Sequence, residues 1–131
     1  MLVVPAELRP SPIHGIGVFL LTPVKKGALI WRFDSRIDRV YSQDELENLP
    51  APLRKFTETY AMWHKPSNLW VICGDYACYM NHSETPNTLS MGAVFADDVA
   101  ACDLAAGVEL TTDYRVICDS TLETGTLSTI V

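Results

Sequence analysis

Short runs of β-branched, aliphatic and aromatic residues recur along this chain, separated by turn-forming residues. "GVFLL" at 17–21 and "ALIWRF" at 28–33 read as strands. "TPVKKG" between them carries turn chemistry in Pro23 and Gly27. "RIDRVY" at 36–41 predicts another short strand. The pattern then changes. Ser42, with Glu45 three residues on, forms a capping box for a short helix that Pro50 and Pro52 interrupt. Residues 52–63 place Leu53, Phe56, Tyr60 and Trp63 at spacings of three and four, the mark of an amphipathic helix with an aromatic stripe. Leu53 and Phe56 are expected in the core. Strands resume at 68–73, 92–97, 99–103 and 108–114, with Gly107 in a turn before the last. The pattern predicts one domain over 1–131, mainly β or α+β, with a short helical insert.

Composition narrows the picture. The chain has 131 residues, 48% hydrophobic and 20% charged, which argues for a packed core and against disorder. The formal net charge of −6 argues against nucleic acid as a direct ligand and suits a basic, lysine-rich partner. Four cysteines occur without C-x-x-C spacing, so neither a zinc site nor a disulfide framework is expected. Reduced thiols suggest a cytoplasmic protein. The start "MLVVPAELRP" has no basic n-region, and no run approaches the ~18 apolar residues of a membrane span, so neither a signal peptide nor a membrane association is expected.

Three segments carry candidate chemistry. "HGIGVF" (14–19) holds Gly15 and Gly17, which tolerate positive φ or close approach to a ligand. "YMNHSETPNT" (79–88) is densely polar between two apolar halves of the chain. "ELTTDY" (109–114) alternates so as to turn Leu110 inward and present Tyr114 at the strand end. Taken singly, these are a tight turn, a solvated turn and an ordinary tyrosine. As an ordered set they resemble the SET-domain family of protein-lysine methyltransferases, over about Arg9 to Arg115, with 116–131 as a tail. The matching stretches are "GIGVFLLTPVKKGALI", "GDYACYMNHSETPN" and "AAGVELTTDY".

The resemblance implies a fold of small twisted sheets whose Asn-His-Ser and tyrosine-ending segments cross in a C-terminal pseudoknot, an exception to unthreaded topology. It implies S-adenosylmethionine as cofactor, held by Asn81 and His82 with backbone from Ile16 and Gly17. Pro86 and Asn87 would shape the turn beneath the crossing. Tyr114 is the implied catalytic tyrosine, and Tyr60, Tyr79 and Thr112 are candidates for the substrate channel. The backbone of His82 is expected to matter more than its ring. The partner would be a lysine-containing basic protein or peptide, with oligomerisation left open.

This chain departs from the family pattern in places. Cys78 stands where many members have arginine, and Thr112 where many have phenylalanine or tyrosine. Cysteine clusters do not flank the motifs, and the tail after Tyr114 lacks an aromatic residue. The first reading is methyl transfer to lysine by a minimal, bacterial or viral type of enzyme. The alternative is a weak or inactive module of the same fold that binds a peptide or protein partner.

Overall fold

The computed structural model describes residues 1–64, 67–91 and 97–114. Its chain builds three small sheets. β1 (Ala6–Pro10) and β2 (Ile16–Leu20) form an antiparallel hairpin. β3 (Leu29–Trp31) follows, then β4 (Arg39–Ser42), α1 (Gln43–Glu47) and α2 (Ala51–Tyr60). β5 (Met62–His64) and β6 (Leu69–Ile72) lead to a 3-10 turn at Tyr76–Tyr79. The last strands are β7 (Asn81–His82), β8 (Thr88–Met91), β9 (Asp97–Ala100) and β10 (Glu109–Thr112). The sheet orders are β1-β2-β10-β7, β3-β9-β8 and β4-β6-β5. The mainly β architecture with a helical insert is the one the sequence pattern predicts.

The core joins elements from all along the chain. Val18 and Leu20 of β2, Ile30 and Trp31 of β3, Met80, Ala100 and Leu110 pack together with Val24 and Leu104. Leu110 is fully buried, as its place in the alternating 108–114 segment predicts. At Ser42 the capping box is present: its hydroxyl accepts from Glu45 N at 3.1 Å, and Glu45 Oε1 accepts from Ser42 N at 3.0 Å. Those bonds, backbone first, draw the Glu45 carboxyl below its usual pKa.

Two expectations are corrected. The helix expected over 52–63 ends at Tyr60, where Ala61 turns extended with φ −77° and ψ 149°. Trp63 lies instead in β5, opposite Trp70 of β6, with ring centroids 5.1 Å apart. Strand pairing and this cross-strand aromatic contact override the 3.6-residue period. Leu53 and Phe56, expected in the core, are 44% and 45% exposed. The helix buries Thr57 instead, and its stripe borders an open cavity.

Boundaries shift for physical reasons too. The strand expected at 36–41 begins only at Arg39, because buried Asp38 organises the preceding turn. Its carboxylate accepts from Asp34 N at 2.9 Å, Gly74 N at 3.2 Å and the Met1 nitrogen at 2.7 Å. The strand expected at 92–97 falls mostly outside the described residues, and so does the tail. Among the described residues, no helix is long and apolar enough to cross a membrane.

Candidate active site

Segments remote in sequence meet at β10. This strand pairs antiparallel with β2, Glu109 opposite Phe19 and Leu110 opposite Val18. On its other side it pairs parallel with β7, Thr111 opposite Asn81 and Thr112 opposite His82. Two-residue β7 is too short to hold this register alone. Asn87 supplies the rest: its Nδ2 donates to Glu109 O at 2.8 Å, and its Oδ1 accepts from Thr111 N at 2.9 Å. One side-chain amide thus serves two backbone groups as a neighbouring strand would. Thr88 Oγ1 adds a bond to Thr111 O at 2.7 Å. Pro86-Asn87 is therefore more than a turn.

Asn81 is buried with its amide nitrogen among four acceptors. Glu109 Oε2 lies at 2.8 Å, His14 O at 3.0 Å, Ser11 Oγ at 3.1 Å and Ile16 O at 3.2 Å. Two hydrogens are shared among four oxygens. This ring of acceptors fixes which end of the amide is nitrogen. The amide oxygen is the end left for a donor from elsewhere. Ile16 itself is half exposed, and exposed Gly15 takes φ +47°, so the turn entering β2 lies at the surface. Gly17 is buried, and a Cβ there would lie 2.2 Å from Glu109 Oε2. Only glycine leaves room for that carboxylate.

His82 and Tyr114 are joined twice over. Tyr114 N donates to His82 Nδ1 at 3.1 Å, and the rings lie 5.3 Å apart. A nitrogen that accepts this bond carries no hydrogen, so the imidazole hydrogen sits on Nε2. Asp113 Oδ1 at 3.7 Å from Nδ1 is then a neighbour rather than a charged pair. The Tyr114 hydroxyl donates to Met80 O. The His82 ring therefore has a task of its own: it anchors the backbone of the tyrosine.

Tyr79 brings the aromatic residues alongside. Its ring lies 5.4 Å from that of Tyr60, edge to face, and Tyr60 lies 4.9 Å from Phe56. Tyr79 also borders a cavity of about 410 Å³ between α2, β4, β6 and the 3-10 turn, lined with Leu53, Phe56, Ile72 and Tyr76 among others. Thr112 is buried at the end of β10, and its carbonyl accepts from Ser83 N at 3.0 Å. Ile16, Gly17, Asn81, His82, Thr112 and Tyr114 thus gather around the β2–β10–β7 junction, while Tyr60 and Tyr79 form an aromatic pair beside it. Burial, then the charge of Asp38, pushes the Cys73 thiol well above its usual pKa. Burial, then Asp75, raises that of Cys78. Neither thiol is poised as a nucleophile.

Ser11 and Glu109 are the participants that sequence reasoning missed. The Ser11 hydroxyl donates between both Glu109 oxygens, at 2.9 Å each, and accepts from Ile13 N at 3.0 Å. A signal was present in the sequence: Gly17 in a strand interior implies something close against it.

The family model of the SET domain matches residues 15–115. No curated protein sequence matches the chain. Among solved structures, a Plasmodium falciparum protein provisionally named a histone methyltransferase superposes with a TM-score of 0.58 at 21% identity, covering 85% of this chain and 93% of that one. Chaetomium thermophilum Polycomb Repressive Complex 2, in an autoinhibited conformation bound to S-adenosylmethionine, gives 0.66 at 19% identity, covering 92% of this chain and 16% of that one. The same complex bound to GSK126 gives 0.68 at 19% identity, covering 92% and 17%. At such identities the likeness speaks to fold. The family match spans all three motif segments and most of the chain, and on it the conclusion rests: the chain belongs to the SET-domain family.

Proposed function

We propose that this chain is an S-adenosylmethionine-dependent enzyme that transfers a methyl group to the side-chain amine of a protein lysine. The observation that supports it most is the orientation of Asn81. Its nitrogen is engaged by four protein acceptors, which leaves its oxygen as the acceptor for a ligand ammonium. The surroundings fit the two cationic groups of this cofactor, its ammonium and its sulfonium. The carbonyls of His14 and Ile16 and the carboxylate of Glu109 make the neighbourhood electronegative. Asn81 and His82, with backbone of Ile16 and Gly17, would hold it.

The cofactor supplies a methyl group already activated by its sulfonium. The chain's own residues need only align and desolvate. The attacking lysine must be neutral, although its free pKa is ~10.4. Aromatic walls at Tyr60 and Tyr79 disfavour the ammonium by excluding water and accept the lysine stem. The Tyr114 hydroxyl donates to Met80 O, so its oxygen serves as acceptor toward a methyl C–H or an amine N–H. The pairing of Tyr114 with His82 keeps that oxygen in place. The net charge of −6 favours a basic substrate protein.

The test is incubation with methyl-labelled S-adenosylmethionine and a mixture of basic proteins, followed by mass mapping of modified residues. Label on lysine side chains is expected. Cofactor binding with no label on any protein would favour the alternative of a binding module.

A further inference from the structure

Beyond its negative charge, Glu109 has a carboxylate at the centre of the contacts around Asn81. Glu109 stands opposite Phe19 across the β2–β10 pair. Gly17, two residues before Phe19, is therefore its diagonal neighbour on the same face. A carboxylate at the start of a strand ordinarily points to water. Here it folds over the bare α-carbon of Gly17, where a Cβ would come within 2.2 Å of Oε2 and 2.7 Å of Cδ.

Its bonds reach two further segments. The Ser11 hydroxyl donates to Oε1 and Oε2, both at 2.9 Å, and Asn81 Nδ2 donates to Oε2 at 2.8 Å. Ser11 in turn accepts from His14 N at 3.3 Å, so the carboxylate is linked to the turn that leads into Gly15 and Gly17. A side-chain amide can rotate half a turn about its last bond with little change in shape. Rotated, Asn81 would set its oxygen against the carboxylate of Glu109 and the carbonyls of His14 and Ile16. An ionised acceptor makes the strongest of the bonds that oppose this rotation.

We infer that Glu109 is a positioning residue: by clasping Asn81 Nδ2 and Ser11 Oγ over Gly17, its carboxylate locks the Asn81 amide with its oxygen toward the cofactor and holds the 15–17 turn against it. The inference rests on the reading of Asn81 as a cofactor ligand. It assigns no chemistry to Glu109 itself. The residue acts through Asn81 and leaves the reacting atoms alone.

The test substitutes Glu109→Gln, which keeps shape but removes the charge and leaves one acceptor oxygen where the carboxylate had two. Two quantities are read. The first is S-adenosylmethionine affinity by calorimetry, in the wild-type and Asn81→Ala backgrounds. Glu109→Gln should weaken binding about tenfold in the wild type and less than about twofold when Asn81 is already absent, because the two act as one unit. The second is the side-chain amide resonance pair of Asn81 in the cofactor-free protein, assigned by its loss in Asn81→Ala. The pair should shift and broaden in Glu109→Gln as the lock is released. Affinity within about twofold of wild type, an equal loss in both backgrounds, or an unmoved amide pair would each overturn the inference. A wild-type chain that binds no S-adenosylmethionine overturns the cofactor reading, and the role of Glu109 toward it, while the resonance still judges the clasp. Should Glu109→Gln fail to fold, Ser11→Ala removes the other donor to the carboxylate and is read the same way, with a smaller loss expected.

Discussion

At Asn81, four acceptors compete for two amide hydrogens, and the imbalance has a measurable consequence. Asn81→Ala removes the proposed acceptor of the cofactor ammonium and unties the Glu109 carboxylate. A charged group left partly unpaired costs about 1–3 kcal/mol, so calorimetry on the folded variant should show roughly a 5- to 150-fold loss of S-adenosylmethionine affinity. Unchanged affinity would remove Asn81 from the site. Under the proposed function, Thr112 is the residue expected to set the degree of methylation. It is buried at the end of β10, and it is smaller than the aromatic residue the family resemblance would put there. A roomier channel end should permit di- or trimethylation, and Thr112→Tyr should shift products toward monomethyl-lysine on a peptide at long incubation. A wild type that yields only monomethyl product would mean another side chain closes the channel. Asn81 and Tyr114 stood out as candidates in the sequence because their motifs occur in a fixed order, and the structure brings them to one junction. Glu109 did not, because a glutamate at a strand start looks like any solvated charge, and only the register opposite Gly17 reveals its contact.

Among the elements, the sequence spoke clearly where one period held and poorly where pairing overrode it. β2, β3 and β6 are apolar runs bounded by turns and were legible within a residue or two. β5 was hidden inside a helical pattern, and two-residue β7 is defined by its pairing with β10, which Asn87 also bonds. The link from β6 to the 3-10 turn depends on a close approach. A Cβ on Gly74 would lie 1.9 Å from Ile37 O, and Gly74 N donates to buried Asp38. Gly74→Ala should therefore lower unfolding stability by about 1–3 kcal/mol in urea titration. A change under about 0.5 kcal/mol would mean the loop yields freely. The β8–β9 pair carries a pH signature. Burial raises the Asp98 carboxyl to about 6, against its bond from Ser90 Oγ at 2.7 Å. The folded state then binds a proton that the unfolded chain releases near 3.8. This contribution to stability is present at low pH and is lost as pH rises through about 6. Asp98→Asn should flatten that slope and stabilise the protein at pH 7 by about 1–2 kcal/mol. Identical stability profiles for the two proteins between pH 4 and 7 would contradict it.

For the whole molecule, the β1-β2-β10-β7 and β3-β9-β8 sheets share one core, and β10, late in the chain, lies between the hairpin from the beginning and β7 from the middle. Periodicity cannot foretell such a convergence, since it depends on pairing between segments far apart in sequence, β10 with β2 and β10 with β7. The ordered motifs foretold it through family resemblance alone. The arrangement gives the molecule one place where the proposed cofactor acceptor, the anchored tyrosine and an aromatic pair lie close together. Under the proposal, the net charge of −6 suits a basic substrate. The most direct measurement is lysine-mapped transfer of labelled methyl from S-adenosylmethionine by the wild-type chain and by Tyr114→Phe, side by side, with cofactor affinity measured on both. The account predicts label on substrate lysines with the wild type, and with Tyr114→Phe a rate lower by about 100-fold or more at nearly unchanged cofactor affinity, because the lost hydroxyl acts in the transition state. Equal rates for the two proteins, or label on no lysine with either, would contradict it.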